Sequence, residues 1–143
     1  MKPPATASVT PSALLSNPAL HAMKNLSQIR AGNAIKHARV TGQNGGDVIK
    51  GLPMLILTNG LLAVLAMSLE KKSDGQSLKN VGHHAITCAI AEHLRSEGIA
   101  ITKAKDSETL VRELTSISAD AALLRRATAE TLAFLSYLKR FAT

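Results

Sequence analysis

The chain has 143 residues, a formal net charge of +7 and a sequence pI near 9.9. Its length suits a single domain with one hydrophobic core, and its charge favours a polyanionic partner. With one tyrosine, two phenylalanines and no tryptophan, the composition argues against binding single strands by stacking bases on aromatic rings. A lone cysteine, Cys88, cannot form an internal disulfide, so a cytoplasmic location is expected.

Residues 1–16 are interpreted as a flexible N-terminal arm, followed by a helical bundle domain over residues 17–143. The arm carries Pro3, Pro4 and Pro11 among Ala, Ser and Thr, and it lacks the apolar run of a secretory signal. An organellar transit peptide is an alternative, since the segment is acid-poor and hydroxyl-rich, although the typical arginines are missing.

A long first helix is predicted to begin at Asn17 and Pro18, because Asn can cap a helix and Pro fits its first position. The glycine-rich stretch 41–46 is predicted to end this helix. Asp47 can cap the next one, in which Pro53 predicts a kink or a restart. The apolar residues of the first helix recur at helical spacing: Leu20, Met23, Leu26, Ala34 and Ala38.

The segment from Leu52 to Leu69 is apolar almost throughout. A helix that is hydrophobic all round lies either in the middle of a bundle or in a membrane. Pro53, Asn59 and Gly60 weaken a membrane span, and without this segment the apolar faces of the other helices would lack a partner. The prediction is therefore a buried central helix.

Three further helices are predicted, capped in turn by Ser77, by Asp106 or Ser107, and by Ser118. Glu130, inside the last helix, is expected to pair with Arg126. No strand-like alternation is found, so the fold class is all-α, a compact bundle of about five to six helices in a single domain. The predicted apolar faces are Leu78, Val81, Ala85, Cys88 and Ala89, beside Ile86, Ile90 and Leu94; Leu110, Val111, Leu114 and Ile117; and Ala127, Thr131, Phe134, Leu138 and Phe141.

The residues give no strong indication of a metal site or of catalysis. His84, Cys88 and Glu92 share a helix face and could ligate zinc, but Cys88 lies within an apolar stripe and no CxxC or HExxH sequence occurs. The carboxylates are scattered and mostly neighbour a basic residue, as Glu108 does Arg112. We therefore expect no catalytic residue, no metal and no cofactor.

The excess of basic residues favours contact with a nucleic-acid backbone, because neutralising phosphates releases counterions and gives affinity that is independent of sequence. Sequence could then be read by base pairing between two nucleic-acid strands, a guide and its target, as in RNA-guided systems. The candidate RNA-contacting residues are Lys24, Arg30, Lys36, Arg39, Lys71, Lys72, Arg125, Lys139 and Arg140.

Two stretches resemble a known family. The run from Arg125 to Ala142 is similar to the C-terminal signature of the small subunit of the type III-B CRISPR Cmr effector complex, with Tyr137 where that family often has tryptophan. The segment from Leu52-Pro53 through Asn59-Gly60-Leu61 to Lys71 or Lys72 resembles the family's proline-led apolar helix. The stretch 23–38 agrees more loosely.

The resemblance implies a non-catalytic structural subunit of an RNA-guided antiviral complex. Several copies would stack beside the backbone subunits that carry the crRNA, contact the large subunit, and help form the groove for target RNA. Two alternatives stay open: a general helical interaction module whose basic surface meets an acidic protein, and a single-span membrane protein.

Overall fold

The structure is a computed structural model that describes residues 24–142, with residues 40–46 described for the backbone only. The N-terminal arm and the helix start at Asn17 and Pro18 lie outside this part. The only β-type pairing among the described residues is an antiparallel bridge between Lys71 and Leu78, so the all-α prediction is confirmed. Residues 24–142 contain five helices: α1 (Leu26–Asn59), α2 (Leu61–Ser68), α3 (Val81–Arg95), α4 (Ser107–Leu114) and α5 (Ala121–Phe141).

Helix α1 begins at Leu26 because Asn25 and Gln28 form a reciprocal capping box. The Asn25 side chain accepts from the Gln28 amide at 2.9 Å, and the Gln28 side chain accepts from the Asn25 amide at 3.0 Å. Asn25 itself is extended. The prediction of one helix running from Asn17 through Leu26 is therefore wrong at Asn25.

The prediction that the stretch 41–46 ends the first helix is also wrong, and Asp47 does not start a new one. Helix α1 runs through this stretch and through Pro53 to Asn59. A glycine inside a helix costs only about 1 kcal/mol relative to alanine, and buried residues on both sides, such as Ala34 and Ile49, hold the helix in place. The break comes at Gly60, whose φ of 91° strongly favours glycine.

Helix α1 does not run straight. Near its beginning Arg30 binds Glu130 of α5, and at its end Asn59 lines an apolar groove together with Leu124 and Leu132 of α5. A straight helix would separate Arg30 from Asn59 by about 43 Å, whereas Leu124 and Leu132 are only about 12 Å apart along α5. Helix α1 therefore bends between these points, in the region that contains the glycine-rich stretch and the proline.

The hydrophobic core receives apolar side chains from all five helices. A fully buried Leu, Ile or Phe side chain contributes about 1.5–3 kcal/mol to the stability of the fold relative to an exposed one. One almost fully buried residue from each helix illustrates the arrangement: Leu52, Leu65, Ile90, Leu110 and Phe134.

The apolar segment Leu52–Leu69 is divided between α1 and α2 and is not buried all round. Leu61 and Leu65 are in the core, but Met54 and Leu57 are each 66% exposed. The prediction of a fully buried central helix is thus wrong for one face. No helix in residues 24–142 has both the length and the apolar character needed to cross a membrane.

Helix α3 starts later than predicted, and Ser77 does not cap it. Ser77 belongs to the preceding loop, where its amide and hydroxyl donate to Asp74 at 2.8 and 2.7 Å. The buried face of α3 includes Ile86 and Ile90, which were predicted only to flank the main stripe, whereas Val81 of that stripe is exposed.

Capping of α4 by Asp106 is confirmed, since the Asp106 side chain accepts from the Thr109 amide at 2.9 Å. The predicted apolar face of α4 is wrong at its last member. The helix ends at Leu114, and Ile117 is fully exposed in the turn that follows.

Helix α5 is capped by Asp120 and not by Ser118. The Asp120 side chain accepts from the Leu123 amide at 2.8 Å, while Ser118 lies in the turn before it. The predicted apolar face of α5 is buried from Ala127 to Leu138, and only its last member, Phe141, is exposed.

Candidate nucleic-acid interface

Eight of the nine predicted RNA-contacting residues are exposed to solvent. Exposure is necessary for a phosphate contact, and it follows from their places on the outer faces of α1 and α5 and in the loop after α2. These residues are Lys24, Lys36, Arg39, Lys71, Lys72, Arg125, Lys139 and Arg140.

Arg30 is the exception, because its guanidinium binds the carboxylate of Glu130. Nε lies 2.7 Å from Oε2, and Nη2 lies 2.8 Å from Oε1. The hydrogen bond to Glu130 raises the pKa of Arg30 above its usual value. The predicted pairing of Glu130 with Arg126 is wrong, since Glu130 is turned into the bundle and Arg126 is exposed.

Buried Glu130 and His93 form a polar cluster with the half-buried Arg30 and Asn33. His93 is fully buried, stacks on Phe134 with ring centroids 4.2 Å apart, and places Nε2 2.9 Å from Oε2 of Glu130. The Asn33 amide nitrogen lies 2.9 Å from Nδ1 of His93 and 2.9 Å from the Ser96 hydroxyl oxygen. An amide nitrogen only donates, so Nδ1 accepts and Nε2 carries the proton that binds Glu130. The ring is therefore neutral.

The pKa values of this cluster follow from burial and hydrogen bonding. Burial alone would raise the pKa of Glu130, but hydrogen bonds from Arg30 and His93 outweigh it and hold that pKa below its usual value. Burial lowers the pKa of His93, and the hydrogen bond to Glu130 offsets this only in part. The stable state of the cluster is thus an ionised Glu130 between a charged Arg30 and a neutral His93.

The net charge of the chain is confined to two segments that pack together. Residues 24–39 and 121–141 contain eight basic residues and one acidic residue, Glu130, whereas the rest of the chain has nine of each. The first of these segments lies in α1 and at its start, and the second is α5. Helices α1 and α5 make the most extensive helix–helix contact among the described helices. Lys24 together with helices α1 and α5 therefore carries the whole excess of +7.

The outer surface of α5 carries two basic pairs, which we call the α5 basic face: Arg125 with Arg126, and Lys139 with Arg140. All four are exposed. The pairs lie about 21 Å apart along the helix and on nearly the same side, since fourteen residues make almost four turns. Arg126 was not among the predicted contacts, because it was expected to pair with Glu130. Since Glu130 binds Arg30 instead, Arg126 becomes a further candidate.

A family model described as "CRISPR-associated protein (Cas_Cmr5)" matches residues 21–143, and these include α5 with its resemblance to the family's C-terminal signature. The chain belongs to this family. It is a small subunit of a type III-B CRISPR Cmr complex. No curated protein and no solved structure matches the chain.

Two predicted contacts of this Cmr small subunit, Lys71 and Lys72, lie in the charge-balanced part of the chain. Their loop is closed by the Lys72 amide, which donates to the Ser77 carbonyl at 2.7 Å. The nearby Asp74 is held ionised, because a hydrogen bond from Ser77 lowers its pKa to about 2. The positive charge of the two lysines is therefore accompanied by a carboxylate.

The three residues considered as zinc ligands do not converge on one point. Cys88 Sγ is 3.7 Å from His84 Nε2, but Glu92 is directed towards His37, at 3.3 Å, and Arg95, at 4.0 Å. Within residues 24–142 no group of three or more His, Cys, Asp or Glu is placed to hold a metal ion.

Proposed function

We propose that this Cmr subunit is a non-catalytic structural component that lies along the crRNA and target RNA and binds their phosphates through the α1–α5 pair. Several copies would stack beside the backbone subunits and contact the large subunit, in the cytoplasm. The observation that carries the proposal is the concentration of the net charge at Lys24 and on two helices that pack together. Positive charge gathered on neighbouring helices attracts the phosphates of a nucleic-acid backbone.

The described structure supports phosphate contact more than base reading. Exposed aromatic rings, on which bases could stack, are nearly lacking in the described part, where Tyr137 is half-buried and Phe141 lies at the end of α5. Long Lys and Arg side chains bind phosphate oxygens whatever the base. Sequence would then be read by pairing between the two RNA strands.

The predicted residues fall into three classes. The primary candidates are Lys24, just before α1, with Lys36 and Arg39 on α1 and the α5 basic face. Lys71 and Lys72 are secondary because a carboxylate accompanies them. Arg30 contributes mainly by holding Glu130, because its Nε and Nη2 both donate to that carboxylate.

The test is charge reversal within the reconstituted complex. We expect Lys139→Glu with Arg140→Glu to lower the affinity for target RNA and to flatten its salt dependence. Each lost phosphate contact reduces the slope of log K against log salt by about 0.7 on a single strand. The matched control is Lys103→Glu with Lys105→Glu, two exposed residues in the charge-balanced part. Subunit stoichiometry is measured for every complex, so that lost assembly is not taken for lost binding.

A second set of variants reverses Arg125 and Arg126, and a third reverses Lys36 and Arg39. Unchanged RNA affinity for all three sets would refute the RNA role. The alternative is an acidic protein partner for the same surface, and it predicts a different result. Binding to another subunit would then fall in proportion to the charge removed, while RNA binding by assembled complex would persist.

A further inference from the structure

One row of residues along α5 joins its two basic pairs. In steps of three or four residues, the row runs through Arg125, Ala129, Ala133, Ser136 and Arg140, so all five lie on one side of the helix. Ala129 and Ser136 are exposed and Ala133 is half-buried. The middle of the α5 basic face is therefore low and uncharged, with positive charge at each end.

No carboxylate of α5 interrupts this side of the helix. Glu130, the only acidic residue of α5, is turned into the bundle and binds Arg30 and His93. The largest side chains beside the row, Leu132 and Tyr137, are half-buried. A protein interface usually has large apolar or aromatic side chains at its centre, whereas alanine and serine occupy the centre here. The face therefore suits a polyanion with regularly spaced charges better than a folded protein.

We propose that a single RNA strand lies lengthwise along α5, with phosphates on both basic pairs and its backbone over the small side chains between them. The inference rests on the proposed function and adds the path of the strand to it. In a duplex each strand places one phosphate about every 3.4 Å of its length. A similarly stacked strand would need about six nucleotides to cover the roughly 21 Å between the pairs.

A strand that runs along α5 meets more of its positive charge than a strand that crosses the helix. Crossing at either end brings one basic pair within reach, whereas the lengthwise path brings both pairs. Each phosphate that Lys or Arg neutralises on a single strand adds about 0.7 to the slope of log K against log salt, because counterions are released. The lengthwise path therefore gains the counterions of two further contacts.

The experiment is directed hydroxyl-radical cleavage of target RNA in the reconstituted complex. Cys88→Ser removes the native thiol, and an iron chelate is attached in turn to Ala122→Cys, Ala129→Cys and Ser136→Cys. These exposed positions of α5 follow each other at intervals of about 10.5 Å along the helix. We expect the centre of cleavage to move in one direction along the RNA, by about three nucleotides at each step. Cleavage from the control, Lys103→Cys in the charge-balanced part, should be several-fold weaker.

A second measurement covers the case in which an attached chelate displaces the RNA. Ser136→Leu raises the row between the basic pairs without changing the charge, so it should lower the affinity for target RNA several-fold. The matched control is Ser116→Leu, because both serines are exposed and both hydroxyls donate to a main-chain carbonyl three residues earlier. Equal RNA affinity of the two variants would overturn a path over this row.

The cleavage pattern separates the lengthwise path from the other arrangements. Coincident cleavage from all three positions of α5 would overturn the proposal, because a strand that crosses the helix gives no stepwise shift. Absence of cleavage from all three would also overturn it and would favour an acidic protein on this face. The charge reversals described above decide the proposed function separately, since they lower RNA affinity whichever path the strand takes.

Discussion

Arg30 and Glu130 are separated by 100 positions in the chain and form two hydrogen bonds with each other, of 2.7 and 2.8 Å. The same carboxylate accepts a hydrogen bond from Nε2 of His93 in α3, with Nε2 2.9 Å from Oε2. One buried acid thus joins the first, third and fifth helices of the bundle. Because an unpaired buried charge is costly, this carboxylate specifies how the three helices meet.

Removing Arg30 should destabilise the fold far more than removing Arg126. Arg30→Leu leaves Glu130 buried with only a neutral His93, and we expect a loss of about 3 kcal/mol in the free energy of unfolding. The measurement is urea denaturation followed by circular dichroism. Arg126→Leu, the matched control on an exposed position of α5, should change stability by less than about 0.5 kcal/mol. Similar losses for both variants would contradict the arrangement described.

Stability should fall on mild acidification, and His93 should contribute to the fall. Its pKa is lowered in the fold by burial, so the unfolded chain binds more protons as the pH drops below about 6.5, and stability decreases with falling pH. His37 and His83, whose pKa values are also lowered by burial, act in the same direction. Glu130 adds a further loss below about pH 4.5, because its folded pKa is depressed.

The check is denaturation of the wild type and of His93→Gln between pH 7.5 and 5. The variant is expected to be less stable at neutral pH but to lose less stability across this interval. Parallel pH profiles for the two proteins would show that His93 titrates alike in the folded and unfolded states, against the expectation.

Substitution by alanine should change stability in opposite directions at Gly32, within α1, and at Gly60, directly after α1. Gly32 lies on the exposed side of α1 with open space around its Cβ position, so Gly32→Ala should stabilise the protein by about 0.4–1 kcal/mol. Gly60 has φ 91° and ψ 157°, so Gly60→Ala should destabilise it by about 1–3 kcal/mol through backbone strain. Thermal denaturation of both variants gives the comparison, and a neutral Gly60→Ala would mean that the break between α1 and α2 tolerates a helical residue.

The cap of α5 gives a further comparison within one turn. Asp120→Ala removes the acceptor for the Leu123 amide and should cost about 1 kcal/mol. Ser118→Ala, at the position first predicted to cap this helix, should be nearly neutral. The free energy of unfolding from chemical denaturation distinguishes the two, and a larger loss for Ser118→Ala would place the cap where the sequence pattern had it.

The helices were predictable where the signal is local. Apolar spacing located the buried side of α5 from Ala127 to Leu138, and the cap at Asp106 followed from residue type. The boundaries of α1 were not predictable, because whether glycines end a helix depends on what packs on either side of them. Ile117 was assigned to α4 by spacing alone, although the helix had already ended.

The candidate site shows the same division. Eight of the nine candidate residues are exposed, as Lys and Arg outside an apolar face generally are. That they contact RNA stays a prediction. The partner of Glu130 was predicted wrongly. Pairing at a spacing of four residues applies only within one helix, so it indicates Arg126 and gives no information on Arg30 in α1. Because Arg30 binds Glu130, Arg30 is less available for a phosphate contact, and Arg126 becomes a candidate in its place.

The concentration of the net charge at Lys24, on α1 and on α5 has a consequence for crowding. Outside residues 24–39 and 121–141 the sequence has equal numbers of basic and acidic residues, so no net repulsion is expected between molecules that approach through those parts. Their cationic sides repel, but only over about 8 Å at physiological salt. An RNA strand that lies across the cationic sides of several molecules would neutralise this repulsion. The RNA would therefore favour the alignment of the molecules that it contacts.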